Sequence, residues 1–236
     1  MTQNEALAVA KPILFNTDMT RAIQDNLKTA TRRVIKGVPN IQGLQPYIIP
    51  IYKEPQGLIA QNGRVYHVKT PYKVGDILYV RETWAKVSDW IDVDPEVGIP
   101  DGFIYKANWE DETESPKWHP SIHMPKKAAR IFLRVTDVRV ERLQDMTEED
   151  AFMEGFSGIP WCAHSVFENY PDSPIPCEAA VHSECPPDPP CNHSIPELFG
   201  SDIWDKTIKK SDLAKYGWAA NPWVLVFEFE KLEVAE

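Results

Sequence analysis

The sequence predicts an α+β chain: a small β-barrel with short helices packed outside it and a Cys/Pro-rich insertion. Three observations carry that expectation. Many short apolar runs with strand-type composition are separated by turn residues, and only a few segments show helical spacing. The third is proline, with 21 in the chain crowding between Pro160 and Pro196, where neither a regular helix nor a central strand can form. The expected organisation is a flexible tail over residues 1–10, a domain over 11–156 and 197–236, and the insertion over 157–196.

Residues 11–15 are the first strand. Thr17 or Asp18 caps a helix carrying Met19, Ile23 and Leu27 at four-residue spacing, so one of its faces is buried. The run 28–35, rich in β-formers and lacking Gly and Pro, is a strand leaving that helix. From 39 to 70 turn residues alternate with short apolar runs such as 47–51 and 65–68, which are strands joined by loops. Gly75-Asp76 supplies a turn before the strand 77–84, whose charges at Arg81 and Glu82 interrupt an apolar run. Residues 103–107 form one strand within an acidic loop. The run 131–140 alternates most clearly, with Ile131, Leu133 and Val135 on one face and Phe132, Arg134 and Thr136 on the other. Thr147 starts a helix with acids in its first turn that ends near Gly155. A further helix spans 201–210, and a closing strand spans 223–229.

With 236 residues, 43% hydrophobic and 11% aromatic, the chain has enough apolar area to close a core. Its net charge of −10 argues against gripping a long polyanion by broad phosphate neutralisation and leans towards a small ligand. Two local basic runs remain, 28–36 and 125–134. The N-terminal ten residues lack the basic and apolar regions of a secretion signal, and no run of about 18 apolar residues is present. A cytoplasmic protein without a membrane partner is expected. The sequence is silent on oligomeric state.

A charge inside an apolar strand is costly to bury unless paired, so Glu82 invites a basic partner, and Lys28 is the one expected across the barrel mouth. Such a pair would set the proton balance around the Thr31 hydroxyl, a poor nucleophile until a base takes its proton. The same residues also fit a plain Lys–Glu salt bridge at a strand end. Arg33 shares strand parity with Thr31 and is expected in the same pocket, whereas Arg32 points away. Trp84, Tyr79 and Trp109 are stacking candidates for a base, and Arg33 and Arg81 are candidates for a phosphate or a carbonyl edge. For each aromatic a core position is the favoured alternative.

The passage Leu27-Lys28-Thr29-Ala30-Thr31-Arg32-Arg33, followed later by Gly75-Asp76-Ile77-Leu78-Tyr79-Val80-Arg81-Glu82, resembles the paired signature of the ASCH family, whose fold is related to PUA RNA-binding domains. Residues 125–150 and 216–229, with Asn221-Pro222-Trp223, are similar to long ASCH-like proteins encoded by phages and prophages. Some small bacterial members are amidohydrolases that remove the acetyl group from N4-acetylcytidine with a Lys, a Thr three positions on and a distant Glu. Lys28, Thr31 and Glu82 match that pattern. The resemblance implies a PUA-like barrel in which Thr31 attacks the amide carbonyl, Lys28 assists its deprotonation, and Glu82 passes the proton to the leaving amine. Arg33, Arg81 and Trp84 would hold the substrate, and no cofactor is required for the reaction. This chain is longer than those enzymes and carries the insertion.

Cys162, Cys177, Cys185 and Cys191, with His164, His182 and His193 as alternates, form a second constellation. Zinc takes four such ligands tetrahedrally and gives order to a loop without a core, so the insertion is a candidate structural zinc site. The gaps of 15, 8 and 6 positions between the cysteines match no familiar finger, and free thiols are the alternative. His119 and His123 are assigned no role. Two functions follow: an amidohydrolase acting on an acylated nucleoside, or a module that binds RNA or a modified nucleotide without turnover. A ribonuclease, lacking a carboxylate cluster for metal, ranks third.

Overall fold

The computed structural model of the chain describes residues 2–40, 43–48, 55–89, 102–110, 115–156 and 194–234. Its strands are β1 (Lys11–Leu14), β2 (Ala30–Val34), β3 (Gln45–Ile48), β4 (Pro55–Ile59), β5 (Val65–His67), β6 (Ile77–Arg81), β7 (Trp84–Lys86), β8 (Phe103–Tyr105), β9 (Phe132–Arg142) and β10 (Trp223–Leu232). The fold is α+β. A five-stranded sheet runs in the order β1-β6-β9-β10-β2, with β3-β4-β5 and β7-β8 as two smaller sheets. Strand β1 lies parallel to β6, and the other pairings of the large sheet are antiparallel.

The expected closed barrel is therefore corrected. Among the described residues no backbone ladder joins β1 to β2, the two edges of the large sheet. Both edge strands are short, and side chains span the gap instead. Arg33 on β2 donates to the Leu14 carbonyl on β1 at 3.0 Å, and the Tyr72 hydroxyl donates to the Pro12 carbonyl at 2.6 Å while its ring meets Phe227 edge-on at 5.2 Å.

Residues expected as a flexible tail form α1 (Gln3–Val9), capped by a reciprocal Thr2–Glu5 box. Its Ala6 is fully buried against Tyr79, Met124 and Phe132, and Gln3 donates to the Ala129 carbonyl at 2.8 Å. Helix α2 (Thr17–Gln24) is capped one residue earlier than expected, by the Asn16 side chain. Ile23 is buried as its spacing requires, but Leu27 is exposed, because Asn26 takes a left-handed φ of 59° that ends the helix. Helix α3 (Glu148–Met153) carries a Thr147–Asp150 capping box and satisfies the expected start.

Strand β9 keeps its expected faces through Val135. A bulge at Thr136 then offsets the pairing with β10, Asp137 lying opposite Glu228 and Val135 opposite Phe229. The extra residue restores Val138 and Val140 to the face of Leu133 and Val135, and these four pack with Leu225, Phe227, Ile13 and Ile23 as the main core. On the opposite face Val224 and Val226 pack with Leu143, Ala151, Phe199 and Trp204. The helix expected over 201–210 begins earlier, at Ile195–Phe199, passes through a π-helical turn at Gly200–Trp204 and ends at Asp205–Thr207. A Cβ on Gly200 would stand 2.2 Å from the Trp218 ring, so only glycine lets that turn pack there. Among the described residues no helix is long and apolar enough to cross a membrane.

Candidate functional site

Lys28 leaves α2 just before β2, and its backbone bridges that of Glu154 at the end of α3. Gly155 makes this approach feasible. It has φ +82°, and a Cβ there would lie 2.8 Å from that of Ala22 and 3.1 Å from that of Lys28. The Lys28 ammonium, with a side chain 0% exposed, donates to Glu154 Oε2 at 2.5 Å and to the Glu154 carbonyl at 2.9 Å. Burial pushes the Lys28 pKa below its ordinary value, and the adjacent Glu154 charge offsets this only in part.

The expected Lys28–Glu82 pair is thus not formed. Glu82, 1% exposed, instead receives a two-pronged contact from Arg130, Nε to Oε1 and Nη2 to Oε2, both at 2.9 Å. Among the described residues no hydrogen bond or ion pair joins Glu82 to Lys28 or Thr31. The Thr31 hydroxyl oxygen is buried and has no hydrogen-bond partner among the described residues. Arg33 shares its face with Thr31, as parity required: the two lie opposite Leu225 and Phe227. Its guanidinium is occupied by Leu14 and by the Phe15 ring, whose centroid is 5.5 Å away.

Arg32 faces the other way into an acidic nest. Its Nη2 lies 2.8 Å from both Glu141 and Asp150, and its Nη1 lies 3.4 Å from Glu154. Arg139 adds contacts to Glu141 at 3.0 Å, to Asp150 at 2.8 Å and to Glu228. Burial works to raise the Asp150 pKa, but hydrogen bonds from the Thr147 backbone and from Arg32 outweigh it and hold the carboxyl below its ordinary value. A depressed carboxyl stabilises the fold above its unfolded pKa, about 3.9, and loses that contribution as pH falls through the lower folded value. The gap in urea midpoint between the parent and Asp150→Asn is accordingly expected to be widest near about pH 6 and to shrink below about pH 4. A constant gap would mean that the charge of Asp150 contributes nothing.

The other expected binding residues divide. Trp84 is 6% exposed and sits in the core between Phe103 and His119, with ring centroids 5.6 and 4.9 Å away; it is a packing residue and offers no open stacking face. Tyr79 is likewise buried. Arg81 donates to the Ile122 carbonyl. Trp109 is half-buried, lies T-shaped against Trp118 at 5.8 Å, and lines an open cleft of about 630 Å³ with Arg21, Gln24, Asp25 and Asn108. Arg21 fixes the cleft's rim: from α2 it donates to the Ala107 carbonyl at 2.9 Å and to the Trp109 carbonyl at 3.4 Å.

Asn108 ties this cleft to Glu82, since its Oδ1 accepts from Arg130 Nη2 at 2.7 Å and from Gln24 Nε2 at 3.0 Å. Sequence reasoning missed Glu154, Asn108 and Gln24, and it placed Arg130 only in a basic run. One signal was available: Asp150 and Glu154, four residues apart, share a helix face that needed basic partners. Cys162, Cys177, Cys185, Cys191, His164, His182 and His193 lie outside the described residues. Among those described, no group of three or more His, Cys, Asp or Glu is arranged to hold a metal. Comparison with family models, curated proteins and solved structures found no match.

Proposed function

We propose that this chain is a PUA-like protein of the ASCH type that binds a nucleoside or RNA-type base, with the base held in the cleft beside Trp109. The observation that carries this reading is the cleft itself. Its volume of about 630 Å³ is in the range of small-ligand sites; one wall is an aromatic ring, and the others carry the Gln24 and Asn108 amides, the Arg21 guanidinium and the Asp25 and Glu110 carboxylates. That combination recognises a base by stacking and edge hydrogen bonds. The net charge of −10 favours a nucleoside or a short strand over a long polyanion. Calorimetric titration with cytidine and with N4-acetylcytidine tests it. The parent is expected to bind at least one, and Trp109→Ala to weaken that binding by about 5- to 150-fold, the equivalent of about 1–3 kcal/mol of lost stacking. Absence of binding to either nucleoside, or binding unaffected by the substitution, would refute the reading.

A second reading, amidohydrolysis of an acylated nucleoside such as N4-acetylcytidine, is favoured by the buried Thr31 hydroxyl, which has no hydrogen-bond partner among the described residues. In it Thr31 Oγ1 attacks the acyl carbonyl and gives its proton to Lys28, whose burial favours the neutral amine. Glu82 delivers a proton to the departing amine, and water then releases the acyl group from Thr31. Lys28 is held by Glu154 and Glu82 by Arg130, so the reaction requires both to exchange partners. Release of cytidine from N4-acetylcytidine, lost in folded Thr31→Ala, would place catalysis above simple binding; no release by the parent would remove this second reading.

A further inference from the structure

The cleft beside Trp109 is backed by a chain of four polar side chains that runs from a buried charge to the surface. Glu82 holds both prongs of Arg130, Arg130 donates to Asn108 Oδ1 at 2.7 Å, and Gln24 Nε2 donates to the same oxygen at 3.0 Å. An amide side chain can be turned either way, but here the cation decides. A reversed Asn108 would set its NH2 against the guanidinium, donor against donor, so Oδ1 must face Arg130. With Oδ1 fixed, Gln24 must present its NH2 to it.

This ordering leaves a defined pair of groups over. Neither Asn108 Nδ2 nor Gln24 Oε1 has a hydrogen-bond partner among the described residues, and both residues line the cleft. Asn108 offers a donor and Gln24 an acceptor, on two neighbouring amides whose other ends meet at 3.0 Å. Arg130 itself is steadied by the Tyr105 ring, 3.9 Å from its guanidinium carbon, and Tyr105 by its 2.6 Å bond to the Ala128 carbonyl.

We infer that the cleft selects a ligand edge with an adjacent donor and acceptor, the amidine-type edge of a cytosine-like base, and that Glu82 is a positioning residue that fixes this selectivity through Arg130 and Asn108. The inference rests on the cleft being the nucleoside site. It assigns Glu82 a role distinct from proton delivery: the carboxylate orients a guanidinium, which orients two amides.

Calorimetry with three nucleosides tests it: cytidine, its 3-deaza analogue, which lacks the ring acceptor, and its 4-deamino analogue, which lacks the amino donor. Neither analogue adds bulk. The parent is expected to bind each analogue at least about tenfold more weakly than cytidine, because a cleft group is left unpaired. In Glu82→Gln one end of the new amide opposes the guanidinium, and the cytidine-to-analogue ratios are expected to fall to within about threefold. A merely structural role would weaken all three ligands together and leave the ratios unchanged. Asn108→Ala, at an exposed position, is expected to flatten the 3-deaza ratio and keeps the test decisive if Glu82→Gln does not fold. Cytidine binding that is lost in Trp109→Ala but accompanied by equal affinity for all three ligands would overturn the inference and leave the proposed function standing. Flattened ratios in Asn108→Ala with parental ratios in Glu82→Gln would overturn the positioning role alone. A parent that binds no nucleoside would overturn both.

Discussion

Glu154→Ala is expected to lower the unfolding free energy by about 3–5 kcal/mol, read as a fall in urea midpoint. Glu154 neutralises two side chains that have no exposure of their own, Lys28 at 2.5 Å and Arg32 at 3.4 Å. Arg32 keeps Glu141 and Asp150. Among the described residues Lys28 keeps the Glu154 carbonyl and the face of the Phe15 ring, 5.7 Å away, neither of them a countercharge for a buried ammonium. The loss arises from the charge left behind rather than from the intrinsic worth of the pair. The double variant Lys28→Met, Glu154→Leu is therefore expected to recover most of the stability, to within about 1–2 kcal/mol of the parent. A single variant within about 1 kcal/mol of the parent would show that the Lys28 charge is relieved without Glu154, by water or by loss of its proton, and that the pair does not anchor Lys28. A double variant as unstable as the single would mean that the pair specifies the junction of α3 with β2 and is more than a charge balance.

The same residues show what sequence can and cannot convey here. Strands β1, β6, β9 and β10 and helices α2 and α3 were legible because each carries its own local signal: a short apolar run, with period-two alternation in β9, four-residue apolar spacing, or a capping threonine. The charge at Glu82 was legible as a demand for a partner. Its partner was not, because the choice between Lys28 and Arg130 depends on which strands meet. Glu154 pairs with Lys28 across 126 positions, and no local pattern reports such a contact. Helix α1 was missed because seven residues with one buried alanine show no apolar stripe. Barrel closure failed for a similar reason: the composition of β1 and β2 marks them as strands but not how far their edges stand apart, and here Arg33 and Tyr72 fill the space. Trp109 was legible only as one aromatic among several. Its cleft exists because Arg21, on a helix 86 positions earlier, holds the Ala107 carbonyl.

Arg130→Ala is the second large effect expected, a destabilisation of about 2–4 kcal/mol. Glu82 is as buried as Lys28, and the substitution removes both of its charged hydrogen bonds together with a guanidinium lying 3.9 Å over Tyr105. The lower end of the range follows from Arg130 itself being 25% exposed, so that water can partly replace it. Arg130→Lys separates charge from geometry. An ammonium restores one contact to the carboxylate but cannot span both oxygens and Asn108 at once, because its donors do not lie in a planar fork. Lysine is therefore expected to recover part of the stability lost in the alanine variant while leaving Asn108 unoriented, with ligand selectivity still flattened. If lysine restored both, a single positive charge near Glu82 would suffice, and the relay from carboxylate to guanidinium to amide would not be what shapes the cleft. If it restored neither, the two-pronged grip would itself be the stabilising element, and Glu82 would belong to the architecture of the β6–β7 corner before it belonged to any ligand site.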